Sequence, residues 1–256
     1  MGSPCRVEVS LRGFLVLLVY SGEVPALDAL LRRRLVAQRE LVVVPYSLDD
    51  VASAHDAAGY FRAAAVAARV LSSRTYERAA ALRSAVIGAG AVYLVGGNTY
   101  EFLAYARRVG LFGILQALEQ QGGVIAAESA GSILLSPDIA TAAIPSRNRD
   151  VNTPRLARLV GMGRLPFHVS PHFQPRSRHA HGDIEELQSL ADRSCRPVMV
   201  LEDGQGFVMR GLHIVRRVGR MRTLRPAGQE SGLSGVPVNG AVYAKRTARA
   251  SSSRPL

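Results

Sequence analysis

The sequence predicts an α/β fold in which a mainly parallel central sheet carries helices on both faces and C-terminal antiparallel hairpins close one sheet edge. Three observations lead there. Short, almost wholly apolar runs such as residues 14–19 and 41–44 read as strands buried on both faces, the condition of a parallel sheet rather than a half-exposed antiparallel one. Helical stretches alternate with these runs through the first two thirds of the chain. Beyond residue 201, Gly204, Gly206, Gly211 and Gly219 punctuate apolar pairs in the manner of hairpins.

The elements follow in order. Residues 13–19 form the first strand and 41–45 the second, with a helix over 25–34 between them. Dense alanine with Leu, Val and Arg at helical spacing predicts covering helices over 49–70 and 75–87. The next strand, 91–95, ends at Gly96-Gly97. A helix over 99–108 follows, because Asn98 can cap it and Glu101 can complete a capping box. Another helix covers 112–121, and 123–127 is a short strand leading into Ser129. From 137 to 166, Pro145, Asn148, Asn152 and Pro154 break any periodicity, and a loop of that length is often functional. A strand over 167–170, a helix over 183–193 and a strand over 198–201 precede the hairpins. We expect one domain over 1–244 and a disordered, Ser/Arg-rich basic tail over 245–256.

Composition excludes several classes. A chain of 256 residues, 48% apolar and 20% charged, is ordinary for one hydrophobic core. Its formal charge of +12 and pI near 10.7 would draw anions. Yet Lys245 is the only lysine, and arginine, alanine and glycine are abundant together, a pattern that genomic base composition produces as readily as selection for nucleic acid. No zinc-finger spacing or RNA-binding aromatic motif accompanies it, so nucleic acid is not an expected partner. Cys5 and Cys195 make no disulfide framework and lie outside any CxxC or His-rich context; a reducing cytoplasm fits, and no metal site is indicated. The apolar run 14–20 is far shorter than the ~20 residues a spanning helix needs, so no membrane association is expected.

The sharpest chemical signal is Ala126-Ala127-Glu128-Ser129-Ala130-Gly131-Ser132, an apolar strand running into a small-residue turn and a helix. This is the form of a nucleophile elbow, in which a strained strand–helix turn presents a hydroxyl at the carboxyl end of the sheet. The backbone N–H of Ala130 would then point to a developing oxyanion. Taken alone, Ser129 is equally well an ordinary N-cap. Gly96-Gly97-Asn98-Thr99, at the end of the preceding strand, should line the same crevice, where glycine lets the main chain approach a substrate and the Gly97 N–H can be a second oxyanion donor. A serine hydroxyl needs a base. Of the six histidines, His172 lies just past a strand end and so in that crevice, whereas His179 and His181 lie in a polar loop where substrate contact and simple exposure are equally plausible.

Gly96-Gly97-Asn98-Thr99-Tyr100, Glu128-Ser129-Ala130-Gly131-Ser132 and Ser170-Pro171-His172-Phe173, in that order, resemble the peptidase E (aspartyl dipeptidase) and cyanophycinase family of serine peptidases, whose fold is similar to class I glutamine amidotransferases. The resemblance runs from about residue 41 to 204. It implies Ser129 as nucleophile, His172 as general base, and Gly97 with Ala130 as the oxyanion hole. Gly96, Asn98, Glu128 and His179 are further candidate substrate contacts around that site. For the acid that orients the imidazole the resemblance points to Asp150, with Glu202 and Asp203 as competitors. The implied activity is hydrolysis of an amide in a small peptide, dipeptidase-like and possible for Asp-Xaa, without metal or cofactor, by a monomer or homodimer. Two departures bear on specificity. Glu128 places a carboxylate beside the nucleophile, where it could meet a substrate amino group. Residues 182–186, where the dipeptidase branch is basic, are acidic here. These features keep open a specialised peptide, such as a cyanophycin-like or antibiotic conjugate, and a catalytically silent binding protein.

Overall fold

The computed structural model describes residues 16–35, 40–47, 51–71, 77–144, 146 and 149–228. The tail expected over 245–256 and the first residues of the first predicted strand lie outside them.

Strands β1 (Val16–Ser21), β2 (Glu40–Val44), β3 (Ala68–Val70), β4 (Gly90–Leu94) and β5 (Val124–Glu128) are parallel, in the order β3-β2-β4-β5-β1. Strands β6 (His168–Ser170) and β7 (Val198–Val200) belong to a second, three-stranded sheet. The hairpin β8 (Gln205–Arg210) and β9 (His213–Val218) returns to the main sheet, antiparallel to β1, and closes its edge as the glycine pattern predicts. Strand β10 (Arg222–Leu224) completes the small sheet, antiparallel to β7, while β6 pairs with β7 in parallel.

Side-chain alternation divides the sheet into two buried faces. Leu18, Tyr20, Leu41, Val43, Ala91, Tyr93, Val124 and Ala126 pack against helices α1 (Pro25–Arg34) and α2 (Val51–Ala63). Leu17, Val19, Val42, Val44, Val92, Leu94, Ile125 and Ala127 pack on the other side. That face is covered by α3 (Ala79–Ala89), α4 (Thr99–Arg108), α5 (Leu111–Gln120) and the short α6 (Ala130–Leu134), joined by Val169 and Met199 of the small sheet. Helix α7 (Ala180–Ser194) packs Leu187, Leu190 and Ala191 against Val198, Val200 and Leu224. The small sheet thus rides on the main one and delivers the chain after β6 to its carboxyl edge.

One predicted element is corrected. The helix expected over 49–70 stops at Ala63, and Ala68–Val70 is a strand. The stop is made by Ala65 in the left-handed region, φ 59°, with Val66 N–H donating back to the Phe61 carbonyl. Glycine is the usual residue there, and an alanine carries no such signal.

Candidate active site

The ends of β1, β4 and β5 reach one edge of the sheet, with Tyr20 opposite Glu128 and Leu94 opposite Ala127. Ser129 leaves β5 at φ 49°, ψ −114°, and α6 begins at the next residue. Such a backbone persists only when its surroundings over-determine it. Ser129 N–H donates to the Tyr20 carbonyl, while the Ser129 carbonyl accepts from Ile133 N–H at 3.0 Å and the Ser132 hydroxyl at 2.6 Å. Gly131 makes the turn possible: a Cβ there would come within 2.5 Å of the Leu94 carbonyl oxygen.

His172 enters from the small sheet, three residues past the middle of β6, and is itself at φ 59°. Its Nε2 lies 2.8 Å from the Ser129 Oγ and its Nδ1 lies 2.5 Å from Asp203 Oδ1. Because a carboxylate only accepts, Nδ1 carries the proton and the Nε2 lone pair faces the hydroxyl. The backbone N–H of His172 donates to the buried Ser21 Oγ at 2.9 Å, and the Ser21 carbonyl accepts from Gly204 N–H at 2.8 Å. The end of β1 therefore ties together the turns that carry the imidazole and the carboxylate. Gly22, at φ 67°, sits directly beneath Asp203, where a Cβ would lie 3.4 Å from Oδ1.

The acid implied at Asp150 is placed differently. Its Oδ2 accepts from the backbone N–H of Thr99 at 2.8 Å, at the N-terminus of α4, and Asp203 occupies the position on Nδ1. Burial raises the Asp150 carboxyl above its ordinary range, opposed by the Thr99 hydrogen bond and the charge of His172. Glu202 lines a neighbouring cleft, and its backbone N–H donates to the Gln205 side chain.

Glycine is demanded beside the hydroxyl. A Cβ on Gly97, at φ 133°, would fall 2.0 Å from the Tyr46 ring, and one on Gly96 would fall 3.1 Å from the Ser129 Cβ. Asn98 caps α4, accepting from Tyr100 and Glu101 N–H, while its amide donates to the Val151 carbonyl, so this side chain is spent on structure. Glu128 accepts from the Tyr93 hydroxyl at 2.8 Å on the α1/α2 side of the sheet, away from the crevice.

Two clefts flank the His172–Asp203 pair. One, of about 420 Å³, is lined by Gly97, Thr99, Ser129, Arg149, Asp150 and His172, among others. The larger, about 1060 Å³, is bordered by Arg176, Arg178, His179, Glu202 and Asp203. Ser21 and Gly22 belong to no chemical motif; their only signal in the sequence is a Ser-Gly at the end of a buried strand.

A part-buried imidazole linking a hydroxyl to a carboxylate can move a proton off the hydroxyl and stabilise the cation that forms. The family model for peptidase family S51 matches residues 17–216. The chain belongs to this family. Membership in S51 supports peptidase function. No curated protein matches the sequence significantly. A candidate peptidase E protein from Listeria monocytogenes EGD-e is similar in structure at a TM-score of 0.61 and 17% identity, over 80% of this chain and 100% of that one. A peptidase from an acI-B1 actinobacterium is similar at a TM-score of 0.59 and 14% identity, over 84% of this chain and 96% of that one. At such identities these likenesses speak to the S51 fold alone. No helix among the described residues is long and apolar enough to cross a membrane.

Proposed function

We propose that this chain is a serine peptidase that hydrolyses an amide bond in a small peptide, dipeptidase-like, through an acyl-enzyme. The observation that carries the reading is the unbroken chain of hydrogen bonds from Asp203 through His172 to Ser129. His172 takes the Ser129 proton as Oγ attacks the carbonyl carbon, and Asp203 holds the imidazole in the required tautomer and offsets its charge. The N–H groups of Gly97 and Ala130 stabilise the tetrahedral oxyanion, each worth about 2.7–4 kcal/mol of barrier by analogy with single-donor deletions. His172 then returns the proton to the leaving amine. Water, activated by the same imidazole, hydrolyses the ester, and no metal or cofactor enters any step.

The compact cleft beside Ser129, with Arg149 at its margin, suits a short acidic residue and keeps Asp-Xaa among the substrates. The larger cleft favours a second reading, in which the leaving part of a longer or conjugated peptide extends past Asp203 toward Arg176 and Arg178. A dipeptide panel with N-terminal Asp, isoaspartyl and neutral members, run alongside a longer acidic conjugate, separates the two. The chemistry itself is tested by a fluorophosphonate: wild type should be modified at Ser129 and Ser129→Ala should not. Unmodified wild-type protein, or equal turnover by the two, removes the reading.

A further inference from the structure

The placement of Asp203 on the imidazole leaves Asp150 without a role in the proton relay, although it faces the same cleft as Ser129 and His172. Its carboxylate is partly buried, and its Oδ2 accepts from the Thr99 N–H. Among the described residues no cation lies in ion-pair range of it. The adjacent Arg149 guanidinium turns away, to the Ile144 carbonyl at 3.4 Å and Glu186 at 3.8 Å. A partly desolvated carboxylate without a counter-ion is costly, and structures keep such groups where a cation completes them. The Thr99 N–H at the start of α4 favours the ionised form by hydrogen bonding, and the positive end of the helix favours it by charge. The site is therefore prepared for a positive group supplied from the cleft.

The geometry of the substrate says which group that is. In a peptide bound with its carbonyl carbon at Ser129 and its oxygen at Gly97, the α-nitrogen is separated from the reacting carbon by the α-carbon alone. Gly97 and Thr99 lie two positions apart on one turn, and Asp150 is fixed to the second. We propose that Asp150 is the binding residue for a free α-ammonium group, which makes the enzyme selective for the amino-terminal residue of its peptide. This rests on the serine-peptidase reading for the position of the carbonyl, but the recognition itself needs no chemistry.

The experiment uses two measurements. In the first, Ser129→Ala protein and the Ser129→Ala/Asp150→Asn double variant are titrated by NMR with L-alaninamide and its N-acetyl derivative. Asparagine keeps an oxygen for the Thr99 N–H, so the cleft wall should stay in place. The free amine should bind Ser129→Ala about tenfold or more tightly than the acetylated form, as expected for a charge-assisted hydrogen bond, and the double variant should lose that preference. In the second, the rate of fluorophosphonate modification, which involves no amine, is compared between wild type and Asp150→Asn and should be nearly equal. Absence of a preference in Ser129→Ala, or its survival in the double variant, overturns the proposal. So does an Asp150→Asn enzyme whose modification by the amine-free probe collapses, since the carboxylate would then be serving His172. A wild type inert to the probe defeats the serine-peptidase reading instead, and the titration still decides the ammonium site.

Discussion

The Ser21 hydroxyl oxygen accepts the backbone N–H of His172 at 2.9 Å, a contact between residues 151 positions apart in the chain. It fastens a left-handed, non-glycine backbone to the end of β1, and the same residue's carbonyl holds the turn that carries Asp203. Ser21→Ala should therefore lower stability by about 1–3 kcal/mol, the cost of an unsatisfied buried donor, and should slow fluorophosphonate modification of Ser129 as well. Urea denaturation and modification kinetics on the same preparations check both. Loss of stability with no change in modification rate would mean that Ser21 supports the fold but not the imidazole.

The identity of the acid gives a second prediction. Removing the corresponding carboxylate in a buried triad costs about 10⁴ in kcat. Asp203 is 63% exposed, so water can partly replace it, and Asp203→Asn should fall nearer 10² than 10⁴. Glu202→Gln should leave turnover nearly unchanged, because the contact Glu202 makes with Gln205 runs through its backbone N–H. Steady-state rates on an N-acylated ester substrate, which bypasses recognition of an amine, provide the comparison.

These two cases show what can be read from the chain and what cannot. Ser129, Gly97 and His172 stand at strand ends, and strand ends of a parallel sheet are predictable from apolar runs, so the residues that converge there were legible. Asp203 follows β7, the parallel neighbour of β6 in the small sheet, and lies 31 residues from its partner. No periodicity links it to His172, and the resemblance offered Asp150 first. The small sheet was hidden for the same reason: its strands look like any buried strand until their partners are known. Glu128, by contrast, could have been placed. Val124 and Ala126 face α1 and α2, and alternation puts residue 128 on that side rather than in the crevice.

That orientation yields a third prediction. Tyr93 is buried, its ring in edge contact with Phe61 and Tyr20, and burial holds its hydroxyl far above the ordinary tyrosine range, so it remains a donor to Glu128. The bond anchors the residue immediately before a strained nucleophile. Tyr93→Phe and Glu128→Ala should each slow modification of Ser129, with the double variant no worse than either alone. Glu128→Gln, which keeps an acceptor for the Tyr93 hydroxyl, should retain most of the rate. If Glu128→Gln instead raised KM for free-amine substrates at unchanged modification rate, the carboxylate would be acting on substrate.

A fourth prediction concerns stability away from the crevice. Glu119, at the end of α5, forms a 2.6 Å ion pair with Arg164, yet its carboxyl is pushed up from 4.5 to about 7, because burial outweighs the arginine's attraction. An acid whose folded value is raised binds its proton more tightly folded than unfolded. The stabilisation it contributes is therefore complete below about pH 4.5 and is lost as the pH rises through about 7. At ~1.4 kcal/mol per unit the full span is on the order of 3 kcal/mol. Glu119→Gln cannot ionise, so the difference in unfolding free energy between wild type and this variant should move in the variant's favour between pH 4.5 and 7, then level off. Urea melts at half-unit steps of pH measure that difference directly. A difference that stays flat across the interval would show that Arg164 holds Glu119 ionised throughout, with attraction rather than desolvation as the larger effect.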